Sequence, residues 1–390
     1  MKRSSQIRIL FFILIVCVFL QACTQVPQNQ PYYPSKNEWL TKKPGDLGIN
    51  EEKLNTAVEF ALNNEYEGDK NLREVLLKTY ANEPYYKILG PVSDRGGPAG
   101  IILKNGYIIA QWGDIERVDM TFSVAKSYLS TVAGLALDAG LIGNVHDKAA
   151  DYVKDGSFSG DHNSKITWHH LLNQSSDWSG SLFGIYDWAD RPPSEGTIED
   201  WKNRKLNEPG TKFKYNDVRV NLLAYSLLQV WRKSLPDVLK EKIMDPIGAS
   251  STWQWHGYEN SYVDIDGKQI QSVSGGGHFG GGLFINTLDH ARFGLLFLRR
   301  GNWQGKQLVS QKWVDMVQQS SEANSNYGYL WWLNKGNNPW EGTPSSVYYA
   351  AGFGGNYIIV DNEHDLVIVT RWIKSSKINE MVKLVLMSNE

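Results

Sequence analysis

The 390-residue sequence lacks several features that mark common classes of protein. It contains two cysteines, Cys17 and Cys23, and both lie near the N-terminus, so the rest of the chain can form neither a disulfide nor a cysteine-based metal site. No H-E-x-x-H or similar histidine spacing occurs, and 40 basic residues are balanced by 42 acidic ones. We therefore expect no metal ion and no other cofactor, and we do not expect nucleic acid as a partner.

The apolar run near the N-terminus is too short to span a bilayer as a helix. Ile9–Leu20 is about 12 residues long, whereas a spanning helix needs about 20. Basic residues precede the run, as in a signal peptide. The sequence LQAC, which ends at Cys23, resembles a bacterial lipobox, and this implies cleavage before Cys23 and attachment of lipid to it. A plain signal peptide or an uncleaved anchor is the alternative.

These features divide the chain into three parts. Residues 1–22 are predicted to be a lipoprotein signal peptide, residues 23–46 a polar tether, and residues 47–390 a single domain. Acyl chains on Cys23 would hold the protein stably at a membrane surface. We therefore expect a lipid-anchored protein of the bacterial cell envelope, in the outer membrane or on the periplasmic face, rather than a secreted protein.

The order of predicted elements favours an α+β fold of the α/β sandwich type. A helix capped by Asn50 is followed by a hairpin that turns at Asn105-Gly106. Residues from about 141 to 260 indicate helices and loops, and a glycine cluster at 274–282 marks the return to strands. The pattern predicts a mostly antiparallel sheet flanked by N- and C-terminal helices, with a helical lobe inserted at about 141–260.

The stretch MTFSVAKSYLSTVAGLALDAG, residues 120–140, places Ser123 and Lys126 three residues apart at the start of a helix. Residues with this spacing share one helix face, so the hydroxyl and the amine can meet. A serine is a poor nucleophile until a neighbouring base takes its proton, and a lysine is such a base only where its surroundings lower its pKa. A capping serine and a surface lysine would give the same pattern. Ser123 is, however, the only serine with lysine at the third position after it, and G-x-S-x-G does not occur.

Two further stretches provide candidate partners for this pair. In EPGTKFKYND, Tyr215 opens a predicted helix, and a phenol beside an ammonium group gives up its proton more readily. Asp217 in the same stretch is also a suitable helix N-cap. In YYAAGFGGNY, Gly352 and the glycines after it allow a ligand to approach the backbone closely, although a bulge and a turn would also explain them.

Together these blocks resemble the serine β-lactamase and penicillin-binding-protein superfamily, in its class C-related branch with esterases, D-aminopeptidases and 6-aminohexanoate-dimer hydrolases. The resemblance runs from about residue 47 to the end and includes ITWHHLLNQSS, GGGLFINTLDHARFG and YGYLWWLN. It implies that Ser123 is the acylated nucleophile, Lys126 its activating partner and Tyr215 the catalytic base. It also implies an oxyanion hole formed by the backbone amides of Ser123 and Phe353, next to Gly352.

Two positions depart from the pattern of this family. Asp217 stands where asparagine is usual, and an anion there would favour the ammonium form of Lys126 and shift the role of base toward Tyr215. The third motif reads Ala350-Ala351-Gly352 where the family usually has lysine or histidine followed by threonine, so the cation that holds a substrate carboxylate is missing. We therefore expect a neutral ester or amide as substrate.

The leading hypothesis is a lipid-anchored serine hydrolase that cleaves a small ester or amide through an acyl-enzyme on Ser123. One alternative is a β-lactamase or a cell-wall D,D-peptidase, and another is a non-catalytic penicillin-binding-like sensor or scaffold. We assign structural roles to the histidines that could suggest a triad or a zinc site, and packing roles to the tryptophans that could contact substrate. These residues are His169, His170, His278, Trp178, Trp188, Trp331 and Trp332.

Overall fold

The structure is a computed structural model that describes residues 31–335 and 339–389. The predicted signal peptide and Cys23 lie outside these residues. No helix in the described ranges is long and apolar enough to cross a membrane. The strands are β1 (Ala99–Lys104), β2 (Tyr107–Trp112), β3 (Asp119–Met120), β4 (Ser181–Leu182), β5 (Ile185–Tyr186), β6 (Gln254–Ile265), β7 (Lys268–Val273), β8 (Gly282–Ile285), β9 (Asn302–Trp303), β10 (Lys306–Gln307), β11 (Trp332–Leu333), β12 (Tyr348–Gly352), β13 (Asn356–Asp361) and β14 (Leu366–Arg371).

The helices occur at both ends of the described chain and between the strands. They are α1 (Glu51–Asn63), α2 (Leu72–Thr79), α3 (Ala125–Asp138), α4 (Trp168–Leu172), α5 (Ile198–Lys202), α6 (Asp217–Trp231), α7 (Leu235–Leu239), α8 (Thr287–Leu298), α9 (Gln311–Val317) and α10 (Ile378–Met387). As predicted, Asn50 caps α1, because its side chain accepts a hydrogen bond of 3.0 Å from Lys53 N.

The main sheet has six antiparallel strands in the order β11-β12-β13-β14-β1-β2. The β1–β2 hairpin turns at Asn105 and Gly106, whose φ angles of 54° and 87° match the predicted tight turn. Every residue of β13 and β14 is buried, because helices cover both faces of the sheet. Helices α1 and α10 pack on one face, and α8 packs on the other. This arrangement confirms the predicted α+β fold with flanking N- and C-terminal helices.

The helical lobe is shorter than the sequence analysis placed it. Helices α4 to α7 occupy it, but strands return at Gln254 rather than near residue 260 or at the glycine cluster. Strands β6 and β7 form a hairpin that turns at Asp266 and Gly267, both with positive φ, and they join β8 and β3 in a second sheet of four strands. The prediction missed this sheet because β6 mixes buried and exposed residues without regular alternation.

The folded unit begins at Tyr32 rather than at residue 47, so the second half of the predicted tether is packed on the domain. The ring of Tyr32 stacks on that of Tyr107 with centroids 4.2 Å apart. Trp39 Nε1 donates a hydrogen bond of 2.8 Å to the Gly106 carbonyl, and Lys42 N donates one of 3.0 Å to the Ile108 carbonyl. Aromatic residues that look like part of a polar linker in the sequence therefore bind strand β2.

Candidate active site

Ser123 lies in a tight turn at the junction between sheet and lobe. It belongs to a 3-10 turn, Phe122–Val124, that precedes α3, so it is just before the α-helix rather than inside it. Phe122 has a φ of 49°, a conformation that is uncommon for a residue with a side chain. Its ring packs against Phe353 and Trp372, at centroid distances of 5.2 and 6.4 Å, and this packing holds the turn in place. Ser123 is half-buried at the end of this turn.

Lys126 connects the serine to a buried carboxylate. Its side chain is 1% exposed, and Nζ donates hydrogen bonds of 2.9 Å to Ser123 Oγ and 2.8 Å to Asp217 Oδ1. Burial by itself would raise the pKa of Asp217, but the positive charges of Lys126 and Arg191 outweigh burial and hold this pKa well below its usual range. Asp217 is therefore held as a carboxylate, and it forms a buried ion pair with Lys126.

Tyr215 lies directly above this ammonium group. The Lys126 Nζ atom is 4.7 Å from the centroid of the Tyr215 ring, which itself stacks on Trp332 at 5.8 Å with an interplanar angle of 23°. The residue that caps α6 is Asn216, whose side chain accepts a hydrogen bond of 3.0 Å from Arg219 N. Asp217, considered as the cap from sequence, is instead the first helical residue, and its carboxylate is directed to Lys126.

The loop before α5 adds two charged residues that sequence reasoning did not find. Arg191 has a φ of 50°, and its Nη1 atom contacts Asp190 Oδ1 and lies 3.5 Å from Asp217 Oδ1. The backbone N–H of Asp217 donates to Asp190 Oδ2. The guanidinium carbon of Arg191 is 5.5 Å from the centroid of the Tyr215 ring. We call Lys126, Asp217, Arg191 and Asp190 the lysine cluster. Nothing in the local sequence marks Asp190 or Arg191 as part of a site.

The glycine cluster covers the Lys126–Asp217 pair. A Cβ atom at Gly276 would lie 2.2 Å from Asp217 Oδ2 and 2.3 Å from Lys126 Nζ, so only glycine fits without displacing the pair. The backbone N–H of His278 donates a hydrogen bond of 3.2 Å to Asp217 Oδ2. From sequence this stretch was interpreted only as the return to strands, and its approach to the side chains of Lys126 and Asp217 was not predicted.

Glu83, Asp190 and His278 bring three ligand atoms within 4.8 Å of one another, which is close enough to hold a metal ion. These groups already bind each other and the loop. His278 Nε2 is 2.7 Å from Glu83 Oε2, the other oxygen of Glu83 accepts a hydrogen bond of 3.2 Å from Arg191 N, and Asp190 is engaged by Arg191 and Asp217. We interpret this trio as a hydrogen-bonded support for the lysine cluster.

The end of strand β12 lies against the backbone of the serine turn. A Cβ atom at Gly352 would be 2.2 Å from the Thr121 carbonyl oxygen and 3.3 Å from Ser123 N, so glycine is required for this approach. Phe353 follows in the turn to β13, and within the described ranges its backbone N–H has no hydrogen-bond acceptor. The structure therefore brings the two amides predicted for the oxyanion hole to the same edge of the site.

The sequence analysis assigned structural or packing roles to seven histidines and tryptophans, and the structure shows where these residues lie. His169 Nδ1 is 2.6 Å from Tyr329 Oη, and the His170 ring closes the capping box of α4. The side chains of Trp178, Trp188 and Trp331 are buried. Trp332 and His278 are the two that reach the site. Trp332 stacks on Tyr215, and the backbone N–H of His278 donates a hydrogen bond to Asp217 Oδ2.

Ser123, Lys126, Tyr215 and Asp217 therefore converge, and Gly352 and Phe353 lie beside the serine. Such a site can position a carbonyl carbon next to a hydroxyl, with an ammonium group and backbone amides around the oxygens that gain charge. The sequence model of the Beta-lactamase family matches residues 116–372, which include all six of these residues. The chain belongs to the Beta-lactamase family, whose general activity class is hydrolase.

Solved structures support the same fold at low sequence identity. A β-lactamase from Mycobacterium bovis is 18% identical with a TM-score of 0.51, and the match covers 80% of this chain and 97% of that one. A family VIII carboxylesterase is 15% identical with a TM-score of 0.54, over 82% and 98% of the two chains. A protein described as a 6-aminohexanoate-dimer hydrolase from Bacillus anthracis is 16% identical with a TM-score of 0.52, over 91% and 97%. None of the curated proteins compared with the chain matches it significantly.

Proposed function

We propose that this protein is a serine hydrolase that cleaves a small ester or amide through an acyl-enzyme on Ser123. The observation that carries the proposal is the continuous contact from the Ser123 hydroxyl to the Lys126 ammonium group and on to the Asp217 carboxylate, beneath the ring of Tyr215. A site with a structural role alone would not need a buried ammonium group aimed at a half-exposed hydroxyl.

In the acylation step, Ser123 Oγ attacks the substrate carbonyl carbon and its proton passes to Tyr215. We assign the role of base to Tyr215 rather than to Lys126, because Lys126 Nζ is already paired with the Asp217 carboxylate. Tyr215 is placed for this role by its position, because Lys126 Nζ lies 4.7 Å and the Arg191 guanidinium carbon 5.5 Å from its ring centroid. The backbone amides of Ser123 and Phe353 would stabilise the oxyanion. When the carbon–oxygen or carbon–nitrogen bond breaks, Tyr215 returns the proton to the leaving group.

In the deacylation step, a water molecule attacks the acyl-enzyme from the side that the leaving group has vacated. Tyr215 takes a proton from this water, the bond between the acyl carbon and Ser123 Oγ breaks, and the proton returns to Oγ. The product is a carboxylic acid, and the site is restored. Lys126 keeps its proton throughout and lowers the energy of each state in which Oγ carries negative charge.

The family relationship supports this class of reaction, and the neighbouring esterase and dimer hydrolase support esters and amides as substrates. A β-lactamase is the second candidate, because the similar M. bovis structure is named as one. The position that usually carries the third-motif cation is Ala350, which is 1% exposed in β12. This position cannot bind a β-lactam carboxylate, and for this reason we place β-lactams second.

The decisive experiment uses a fluorophosphonate probe and short 4-nitrophenyl esters. We expect the intact protein to be labelled and Ser123→Ala to lose labelling together with at least about 10³-fold of its kcat/KM. Ser130→Ala is the matched control, since Ser130 is buried in α3 and its hydroxyl has no hydrogen-bond partner within the described chain. Equal hydrolysis by the wild type and Ser123→Ala would refute the nucleophile.

The same preparation separates the other candidates. Turnover of nitrocefin that exceeds turnover of the esters would favour a β-lactamase. Labelling of Ser123 by penicillin without turnover would favour a cell-wall peptidase. Complete absence of labelling and hydrolysis, in a protein that is folded by circular dichroism, would favour a sensor or scaffold.

We also propose that Cys23 carries the lipid that anchors the enzyme in the bacterial envelope. The proposal rests on the LQAC sequence after a basic, then apolar N-terminus. We expect the wild type to fractionate with membranes and Cys23→Ser to be soluble. Membrane association that is unchanged in Cys23→Ser would contradict the lipid anchor and favour an uncleaved apolar segment.

A further inference from the structure

A second pocket adjoins the candidate active site, on the side of the loop that leads into Tyr215. It has a volume of about 400 Å³. Arg191 lines this pocket and also lies 3.5 Å from Asp217 Oδ1 in the lysine cluster. Phe213 lines it as well, and its ring centroid is 6.5 Å from that of Tyr215. Pocket and active site therefore share a wall. We call this cavity the basic pocket.

The charge of the basic pocket is unbalanced. Its one acidic side chain, Asp177, is neutralised by Arg204 at 2.9 Å and by Arg219 at 2.7 Å. Arg191 is paired with Asp190. None of the pocket's three lysines forms an ion pair within the described chain; these are Lys205, Lys212 and Lys214. Burial is the main cause that lowers the pKa of Lys214, and the nearby charge of Arg219 lowers it further, while the carboxylate of Asp190 acts in the opposite direction.

Three aromatic side chains also line the basic pocket. Trp188, Trp201 and Phe213 line it, and Trp188 is held in place by stacking on Tyr186 with centroids 5.1 Å apart. Pockets of roughly 300–1,000 Å³ with apolar walls and a few charged groups are typical of small-molecule sites. Flat apolar walls suit a short carbon chain or a ring, and three ammonium groups suit an anion at its end.

We propose that the basic pocket binds an anionic group, a carboxylate or a phosphate, on the substrate of this enzyme. The proposal rests on the proposed hydrolase function and makes it narrower: the substrate is an ester or amide with a negatively charged group a short chain away from the cleaved bond. The sequence favoured a neutral substrate because Ala350 replaces the usual cation. In the structure the positive charge is supplied from a different place, the loop between α5 and α6.

The test compares 4-nitrophenyl hemiesters of succinate, glutarate and adipate with neutral esters of equal chain length. We expect kcat/KM for the best hemiester to exceed that of its neutral counterpart by about tenfold or more, the size of one hydrogen bond to a charged group. Added salt should reduce this preference, since it screens the charges. Equal kcat/KM values for both esters would overturn the proposal.

Variants test whether the basic pocket causes the preference. Lys212→Glu reverses one exposed charge, and we expect it to lower the ratio of kcat/KM between charged and neutral esters by about tenfold. The triple variant Lys205→Gln, Lys212→Gln, Lys214→Gln should lower the ratio as well. The control is Lys312→Glu, an exposed change of the same kind in α9, outside the pocket. A ratio that falls equally in the control, or in none of the variants, would refute the assignment.

Binding to Ser123→Ala protein separates this inference from the proposed function. Titration with glutarate and with inorganic phosphate, followed by calorimetry, identifies which anion the pocket prefers, and absence of binding by both overturns the inference. If the wild type hydrolyses neutral esters through Ser123 but shows no preference for hemiesters, only the basic pocket proposal fails. If neither ester is hydrolysed and Ser123 is not labelled, the hydrolase proposal fails, whatever the anion binding shows.

Discussion

Two buried clusters of ions, one within the lobe and one where the lobe meets α3, differ in how their charges are used. In the arginine cluster, Arg204 and Arg219 each contact both Asp177 and Asp187. The lysine cluster also pairs two cations with two carboxylates, but the Lys126 ammonium group turns one of its protons toward the hydroxyl of Ser123.

This difference indicates that a buried ion pair can contribute either to the stability of the fold or to the reaction at the active site. Arginine presents a rigid planar fork that satisfies two carboxylates at once, whereas lysine is a compact charge that can be shared with a reacting group. The arginine cluster also binds backbone, since Arg219 Nε donates to the Trp178 carbonyl at 3.1 Å. We therefore expect changes in the arginine cluster to lower stability and changes in the lysine cluster to lower activity.

Lys126→Met should have the largest effect on activity. Removing the ammonium group leaves Ser123 without its hydrogen-bonded partner, so we expect kcat/KM for a 4-nitrophenyl ester to fall about 10³-fold or more. Asp217 keeps its contacts with Arg191 and with the His278 amide, which limits the loss of stability. Thermal unfolding measures that loss. If Lys126→Met is less stable but has normal activity when folded, the role of Lys126 is structural, like that of the arginine cluster.

Arg219→Met should have the largest effect on stability. It removes one cation from two buried carboxylates, and breaking such a network costs about 3 kcal/mol in the free energy of unfolding, measured by denaturant titration. Arg232→Met is the matched control at the other end of α6, because the Arg232–Asp266 pair is exposed and should contribute less than about 1 kcal/mol. Similar losses in both variants would contradict a stabilising role for the arginine cluster.

Gly276→Ala tests the lysine cluster without removing any charge. The added methyl group would meet Asp217 Oδ2 and Lys126 Nζ at 2.2 and 2.3 Å, so these groups must move. A displacement of about 1 Å in a catalytic group costs about 10²-fold, which is the loss of kcat/KM that we expect. Gly97→Ala is the control, since a Cβ atom there has no neighbour within 4 Å. Full activity in Gly276→Ala would mean that the position of the pair is unimportant.

The smallest effect should be the acid sensitivity of the arginine cluster. Burial raises the pKa of Asp177, but Arg219 and hydrogen bonds from Asn207 outweigh burial and lower it to about 2, below the value of about 3.9 in an unfolded chain. The stabilisation is therefore complete above about pH 4 and is lost as the pH falls toward about 2.

Asp177→Asn should flatten the decline of the free energy of unfolding in that acid range. The control is Asp161→Asn, at an exposed aspartate that forms no ion pair within the described ranges. An unchanged slope in Asp177→Asn, measured by urea titration at several pH values, would contradict the assignment.

The sequence predicted those parts of the molecule that depend on local chemistry. The Asn50 cap and the Asn105-Gly106 turn follow from neighbouring residues, and the structure confirms both. Asp266-Gly267 is a turn signal of the same kind, so the β6–β7 hairpin could have been found as well. The family resemblance and the fold are confirmed by the family match and the structural neighbours.

The parts that sequence did not predict depend on contacts between distant segments. Arg191 reaches Asp217 only because a loop folds back over the start of α6, and Gly276 reaches the same carboxylate from a third segment. No spacing rule relates these residues. The catalytic roles of Ser123 and Lys126 stay predictions, although the structure brings their side chains together.

The segment that begins at Tyr32 also affects whether two molecules can pair through the edge of the main sheet. Strand β2 is at the edge of the main sheet, where unpaired N–H and C=O groups can recruit a strand from another molecule. Here Ile108 N donates to the Leu40 carbonyl at 3.2 Å, and the Ile108 carbonyl accepts from Lys42 N. The chain thus pairs its own N-terminal segment with this sheet edge at Ile108, and we expect a truncated protein that starts after Pro44 to leave these groups open to pairing with a strand of another molecule.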